Sequence, residues 1–177
     1  MTEYFDVVDS NDKVVGRATR EECHRNPNLI HRTAGVLVFS SKGEMLLQKR
    51  SLGKDTSPGK WSISSWGHLD VGESYEHAAR RELGEEIGIS ANEEELHFLF
   101  KKKLTAERET EIFSIYSITN NGPFRPDKEE VSEVKFLGTN QIKKELRQNP
   151  DAFAAGAVFV IKEFFKLPGS VESSKLR

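Results

Sequence analysis

The amino-acid sequence predicts an α/β protein in which helices pack on the faces of a mixed β-sheet. Segments of strand and helix character follow the order hairpin, strands, helix, strands, two helices, which suits that layering. Apolar clusters recur along all 177 residues, although only 36% of the chain is hydrophobic and 31% is charged. No apolar run approaches the roughly 18 residues of a membrane span. A chain of this length buries about 70% of its unfolded surface, so its core needs no staples. We expect one domain over residues 1–168, opening with a hairpin extension at 1–30, and a polar tail at 169–177.

Each element has its own signal. Residues 3–9 and 14–18, split by Asn11-Asp12, read as strand, turn and strand. Residues 19–24 form a short helix, with Thr19 as cap and Glu22 at the third helical position. An apolar strand at 33–39 turns through Ser41-Lys42-Gly43, and residues 44–49 return as its partner. The Gly- and Lys-rich stretch 52–60 is an exposed loop, and 61–66 is a short strand. Residues 96–104 and 110–118 make a strand pair, 120–127 a loop, and 131–137 another strand. Lys101-Lys102-Lys103 falls on this pair and suits a solvated edge strand better than a nucleic-acid motif. Thr139 is expected to cap a helix through Arg147. Asn149-Pro150 is expected to open the last helix, 150–166, whose wide apolar face serves the core or a homodimer.

A formal net charge of −2 gives no global basic field for nucleic acid or membrane. The lone Cys23 excludes an intramolecular disulfide and fits a reducing compartment. The chain opens on no charged-then-apolar leader, and Arg177 follows Ser-Lys-Leu where a peroxisomal signal must be terminal. Together these predict a cytoplasmic protein.

The most informative stretch is 67–89. Ala78, Ala79 and Leu83 have helical spacing, and Gly88 is a natural stop. Glu82, Glu85 and Glu86 stand at i, i+3 and i+4, so their carboxylates leave one face. Two of them lie in the last turn, where the macrodipole disfavours negative charge by roughly 0.3–1 kcal/mol apiece. A helix gains nothing from this unless a divalent cation is present, because clustered hard oxygens are what Mg2+ or Mn2+ requires. Without one, the segment reduces to an exposed charged helix with an Arg81–Glu85 ion pair.

Gly67, Glu73, Arg81, Glu82, Leu83, Glu85, Glu86, Gly88 and Ile89 fill every specified place of a known pattern. The chain resembles the Nudix hydrolases, and the resemblance implies an α/β/α sandwich. It also implies divalent-metal-dependent cleavage of a phosphoric anhydride. By position, Glu82, Glu85 and Glu86 become metal ligands, with Glu82 first and Glu85 second as acceptor of the water's proton. Gly67 offers its carbonyl to the metal, while Glu73 and Arg81 support and orient the carboxylates.

A narrower resemblance covers most of residues 3–137. Residues 3–18, Cys23-His24, residues 29–32, 46–51 and 61–74 are similar to the isopentenyl-diphosphate isomerase-like branch. Type I isomerases hold a metal through three histidines and two glutamates, which become His24, His31, His68, Glu109 and Glu111 here. These residues equally suit a bland role in hydrogen bonding or in solvent. Those isomerases also place an essential cysteine just before the Gly-His pair of the box. Here that position is Trp66, which cannot supply an acid–base thiol.

The substrate is expected to be a small-molecule diphosphate, first a nucleoside di- or triphosphate or related nucleoside-diphosphate-X compound, then a prenyl diphosphate. Arg50 and Lys49 could hold its phosphates by charge-assisted bonds, with Lys54 in the adjoining loop. Trp66 could stack on a base or lie along a prenyl chain, while Trp61 suits the core. Glu129 or Glu130 could add a ligand or base. The rival readings are a double-bond isomerase and a catalytically silent nucleotide-binding module.

Overall fold

The computed structural model describes residues 2–169; of the tail expected at 169–177, residues 170–177 lie outside them. Strands β1 (Tyr4–Val8) and β2 (Val14–Thr19) pair antiparallel as a separate two-stranded sheet. Asp9 shapes their turn, its Oδ1 accepting from the amides of Asn11 (2.8 Å) and Lys13 (3.0 Å). Helix α1 (Arg20–Cys23) follows with the full Thr19–Glu22 capping box. The extension is fastened to the rest by Asp12, which accepts from Arg32 Nε (2.6 Å), Tyr75 Oη (3.1 Å) and Lys101 Nζ (2.7 Å).

A seven-stranded mixed sheet carries everything else: β3 (His31–Phe39), β4 (Met45–Arg50), β5 (Trp61–Ser62), β6 (Ser65–His68), β7 (His97–Thr105), β8 (Thr110–Thr119) and β9 (Val131–Leu137). Alternation along β3 divides two cores. Ala34, Val36 and Val38 meet Ala78, Ala79, Leu83 and Ile87 of α2 (Tyr75–Ile87). Leu37 faces the other way, toward Ile142 of α3 (Thr139–Gln148) and Ala157, Val160, Ile161 and Phe164 of α4 (Ala155–Phe164). Helix α2 ends where expected, on Gly88 at φ 74°, a left-handed turn with no Cβ penalty. The lysine run lies on β7 at the sheet edge. Among the described residues no helix is long and apolar enough to cross a membrane.

Four expectations need correction. The pairing of β3 with β4 is confined to Phe39 opposite Met45, because β6 occupies that edge of β3 from Thr33 to Val36. The main partner of β4 is β9, and that of β3 is β8, in parallel. Residues 61–66 divide into β5 on β4 and β6 on β3. Thr139 is the first residue of α3, and Gly138 is its cap. Pro150 opens only a 3-10 turn, Pro150–Ala152; Phe153 then runs extended beside Trp61, whose carbonyl takes the Ala154 amide at 2.9 Å. The last helix therefore starts at Ala155, and its apolar face is spent on the core.

Candidate metal and diphosphate site

Two sets of donors lie on opposite faces of β6. Register makes this unavoidable: Gly67 stands opposite Ala34 and faces α2, whereas Trp66 and His68 stand opposite Gly35 and Thr33 and face α4.

On the α2 side, Glu82 lies directly over Gly67. A Cβ at residue 67 would sit 1.9 Å from Glu82 Cδ, so only glycine permits the approach. Glu86 is buried, and its Oε2 accepts from Gln48 Nε2 (2.8 Å) and the Trp66 amide (3.0 Å). Burial, and then the Glu82 charge, push its carboxyl up to about 8. Burial also raises Glu82, although Arg81 pulls the other way. Glu85 differs: its side chain is 60% exposed and touches Arg81 at 3.2 Å. Arg81 is the hub. It donates to Glu73 through Nε (3.0 Å) and Nη2 (2.9 Å), to Glu82 (2.7 Å) and to the His68 carbonyl (2.9 Å). Burial alone would raise Glu73, but Arg81, the Asp70 amide and His77 outweigh it and bring the carboxyl to about 2.

On the α4 side, His24, His31 and His68 offer nitrogens within 4.8 Å of one another, and His31, Glu109 and Glu111 form a second such group. Individual approaches are 3.0 Å for His24–His68, 3.6 Å for His31–Glu111 and 3.6 Å for His24–Glu109. His31 comes from the first rung of β3, opposite Glu111 of β8, while His68 ends β6 and His24 caps α1. Burial first, then neighbouring cationic groups, lower His24 and carry His68 well below the imidazole norm. Burial, then the Glu111 charge, raises Glu109. His31 Nε2 is buried with no hydrogen-bond partner. An orphaned nitrogen among imidazoles and two carboxylates fits a bound transition metal.

The helix glutamates do not gather equally tightly: among the described residues, the histidine and histidine–glutamate groups are those within 4.8 Å. Arg81 draws Glu82 and Glu85 outward, while Glu86 points inward. A buried carboxyl raised to about 8 beside a second one is still a cation-seeking pair. The donor set fits a divalent ion on this side too.

Among the substrate candidates, Arg50 ties down the 51–60 loop through the Thr56 carbonyl (2.9 Å) and hydroxyl (3.1 Å). Lys49 turns to the Trp61 ring, 5.8 Å away, where Lys135 also sits at 3.9 Å. Lys54 instead reaches inward and pairs with Glu130, and its charge is felt by Glu86 and His68. The Glu129 side contributes a carbonyl, to Ser51. Trp66 packs its indole on Phe113, 5.4 Å between centroids. Cys23 is buried, and burial pushes its thiol up to about 11, so it is no substitute acid–base group.

Sequence reading overlooked Arg20, whose Nη1 lies 3.3 Å from His68 Nδ1 and whose Nη2 meets Asp55 at 3.4 Å. It also overlooked Gln48. Arg20 had a signal, being four residues before His24 on a capped helix; Gln48 had none, since its role depends on the β4–α2 packing.

The NUDIX domain family matches residues 29–156. The chain belongs to the Nudix superfamily. It is similar to the isopentenyl-diphosphate delta-isomerase of Serratia proteamaculans, 30% identical over 165 residues and covering 92% of both chains. It is also similar to an uncharacterised Nudix hydrolase of Pseudomonas aeruginosa, 34% identical over 146 residues, 81% of this chain and 83% of that one. These relatives place it in the isopentenyl-diphosphate isomerase-like branch of the Nudix superfamily, and its class is that of a Nudix hydrolase. The fold is shared with the DR0079 protein of Deinococcus radiodurans at a TM-score of 0.77 and 20% identity, over 91% of this chain and 98% of that one.

Proposed function

We propose that this Nudix protein is a Mg2+- or Mn2+-dependent pyrophosphohydrolase acting on a nucleoside di- or triphosphate or a related nucleoside-diphosphate-X compound. The observation that carries the reading is the half-buried Glu82 lying on the bare α carbon of Gly67, with the buried Glu86 one turn further along α2, a cation-seeking arrangement that costs stability without an ion. In this reading Glu82, Glu85, Glu86 and the Gly67 carbonyl hold one divalent ion, and His24, His31, His68, Glu109 and Glu111 hold a second. Bound metal neutralises diphosphate oxygens and acidifies water.

The chain's own groups do the rest. Water attacks one phosphorus, a new P–O bond forms, and the bridging P–O bond breaks with its electron pair leaving on the departing phosphate. The water's proton passes to a helix carboxylate, for which Glu82 is the candidate because it is not bonded to Gln48 and Trp66 as Glu86 is. Arg81 orients Glu82 and Glu85, and Glu73 fixes Arg81. Arg20 and Lys54, which both approach His68, and Arg50 supply positive charge for phosphate oxygens. Trp66 in place of the isomerase cysteine, with Cys23 buried, favours hydrolysis over double-bond migration.

The test is phosphate release from a panel of diphosphate compounds, with and without Mn2+, by wild-type protein and Glu86→Gln. The variant is expected to lose at least about two orders of magnitude in kcat, the scale of one lost charge-stabilising group. Turnover near wild type by the variant sinks the assignment.

A further inference from the structure

On the α4 face of the sheet, β3, β6 and β8 present side chains in rungs that descend from the histidines toward α4. His31 and Glu111 form the first rung; Thr33, His68 and Phe113 the second; Gly35, Trp66 and Ile115 the third. The second rung is still polar, and Thr33 Oγ1 is buried there without a partner. The third rung is solid. Gly35 has no side chain, but a Cβ there would meet Ile63 Cδ1 at 2.8 Å and Ile115 Cδ1 at 2.9 Å, so methyl groups already fill its space.

The Trp66 indole closes the remainder. Its six-membered ring lies over the α carbon of Gly156 in α4, where a Cβ would meet Cη2 at 3.4 Å and Cζ3 at 3.6 Å. Its other side packs on Phe113 at 5.4 Å, and Phe159 of α4 meets Phe113 edge-on at 6.0 Å. Tryptophan at 66 and glycine at 156 thus fit closely: a Cβ at 156 would already be in van der Waals contact with the ring, and a side chain longer than alanine's would crowd it.

We propose that Trp66 and Gly156 set the substrate class by exclusion: the indole fills the space between β6 and α4 and bars a branched hydrocarbon chain from beside the histidines. A diphosphate is then accepted only when its organic group projects away from the α4 face. The proposal rests on the hydrolase reading for its meaning, and it assigns Trp66 the role of a wall where stacking on the substrate was the alternative.

Calorimetric titrations with Mn2+ present, using isopentenyl diphosphate and inorganic pyrophosphate as paired probes, separate the two. The readout is the ratio of the pyrophosphate Kd to the isopentenyl diphosphate Kd. Trp66→Ala is expected to raise that ratio at least tenfold, or about 1.4 kcal/mol. Should Trp66→Ala fail to fold, Trp66→Leu keeps an apolar filler and is expected to raise it at least fivefold. A ratio within twofold of wild type in either folded variant overturns the proposal. Phosphate release by the wild-type protein is scored separately. Its absence from every diphosphate tried removes the hydrolase reading, and the affinity ratio still decides whether Trp66 is a wall.

Discussion

The two donor sets that flank β6 are held together by different forces. Ring packing gathers the histidines: Phe5 stacks on His68 at 4.4 Å and 8°, lies 5.4 Å from His31, and shares the cluster with His24. Rings packed in this way need no cation to stay in place, so the nitrogens lie within 4.8 Å of one another. The glutamates of α2 are not assembled like that, because each brings a charge that repels the next. On the α2 side the guanidinium of Arg81 does the holding, joining Glu73, Glu82 and Glu85 and leaving Glu86 neutralised by burial. The first set is organised before a metal arrives, and the second is organised around a placeholder charge.

The largest test of that contrast is Arg81→Leu. It strands Glu73, whose side chain is only 6% exposed, without its bidentate partner. Breaking a buried ion pair from one side costs roughly 3–5 kcal/mol, read as a fall in the urea midpoint with an unchanged slope. The histidine cluster should keep its affinity for added Zn2+. Loss of both together would mean that the two sets are not independently held.

Gly67→Ala strikes the same side without touching a charge. The new Cβ meets the Glu82 carboxyl at under 2.5 Å on all three of its heavy atoms, so Glu82 must leave. We expect about a hundredfold loss of kcat, equivalent to roughly 2.7 kcal/mol, with α2 intact by circular dichroism. Retained turnover would show that Glu82 acts from somewhere other than above Gly67.

The contrast also explains what was legible in the sequence. Helix α2, its stop at Gly88 and the capping box at Thr19 are local events, written in residues within a turn of one another. The Glu82–Gly67 contact was foreshadowed by the box pattern, but its reason, a carboxylate lying on a bare α carbon, needs the β6–α2 packing. The same holds for the histidines. Their convergence joins α1, β3 and β6, with Glu111 added from β8, and no periodicity within one element records it. The misplaced start of the last helix has a similar origin: Pro150 is a sound first-turn signal, but the bridge between Phe153 and Trp61 is a tertiary contact that outcompetes it. Arg50 was chosen for its charge, and its bonds to Thr56 show a loop-anchoring duty that charge alone does not reveal.

Acid should weaken the charged set selectively. The Glu73 carboxyl is depressed from its ordinary 4.5 to about 2 in the folded protein. A depressed carboxyl contributes stability above its unfolded pKa, and that contribution fades as pH falls through 4.5 toward 2. Between pH 6 and pH 3 the loss should reach about 2 kcal/mol. Urea unfolding of wild type and Glu73→Gln at the two pH values measures it. The gap between the proteins should narrow at pH 3, and a constant gap would mean that Arg81 does not hold Glu73 ionised.

Thr19→Ala probes the packed set at its weakest point. The four-residue helix α1 presents Arg20 and ends on His24, and its start depends on the reciprocal Thr19–Glu22 bonds, 2.8 Å from Glu22 to the Thr19 amide and 3.2 Å from Thr19 to the Glu22 amide. Losing such a cap costs about 1 kcal/mol. His31 and His68 stand on β3 and β6 and should not move, so the loss should appear as roughly a fivefold weaker Zn2+ affinity, with kcat much less affected than in Gly67→Ala. If the tilted ring contact with Phe5 alone positions His24, at 6.2 Å between ring centroids, the Zn2+ affinity will not change at all, and the cap will prove to be a local stabiliser with no bearing on the cluster.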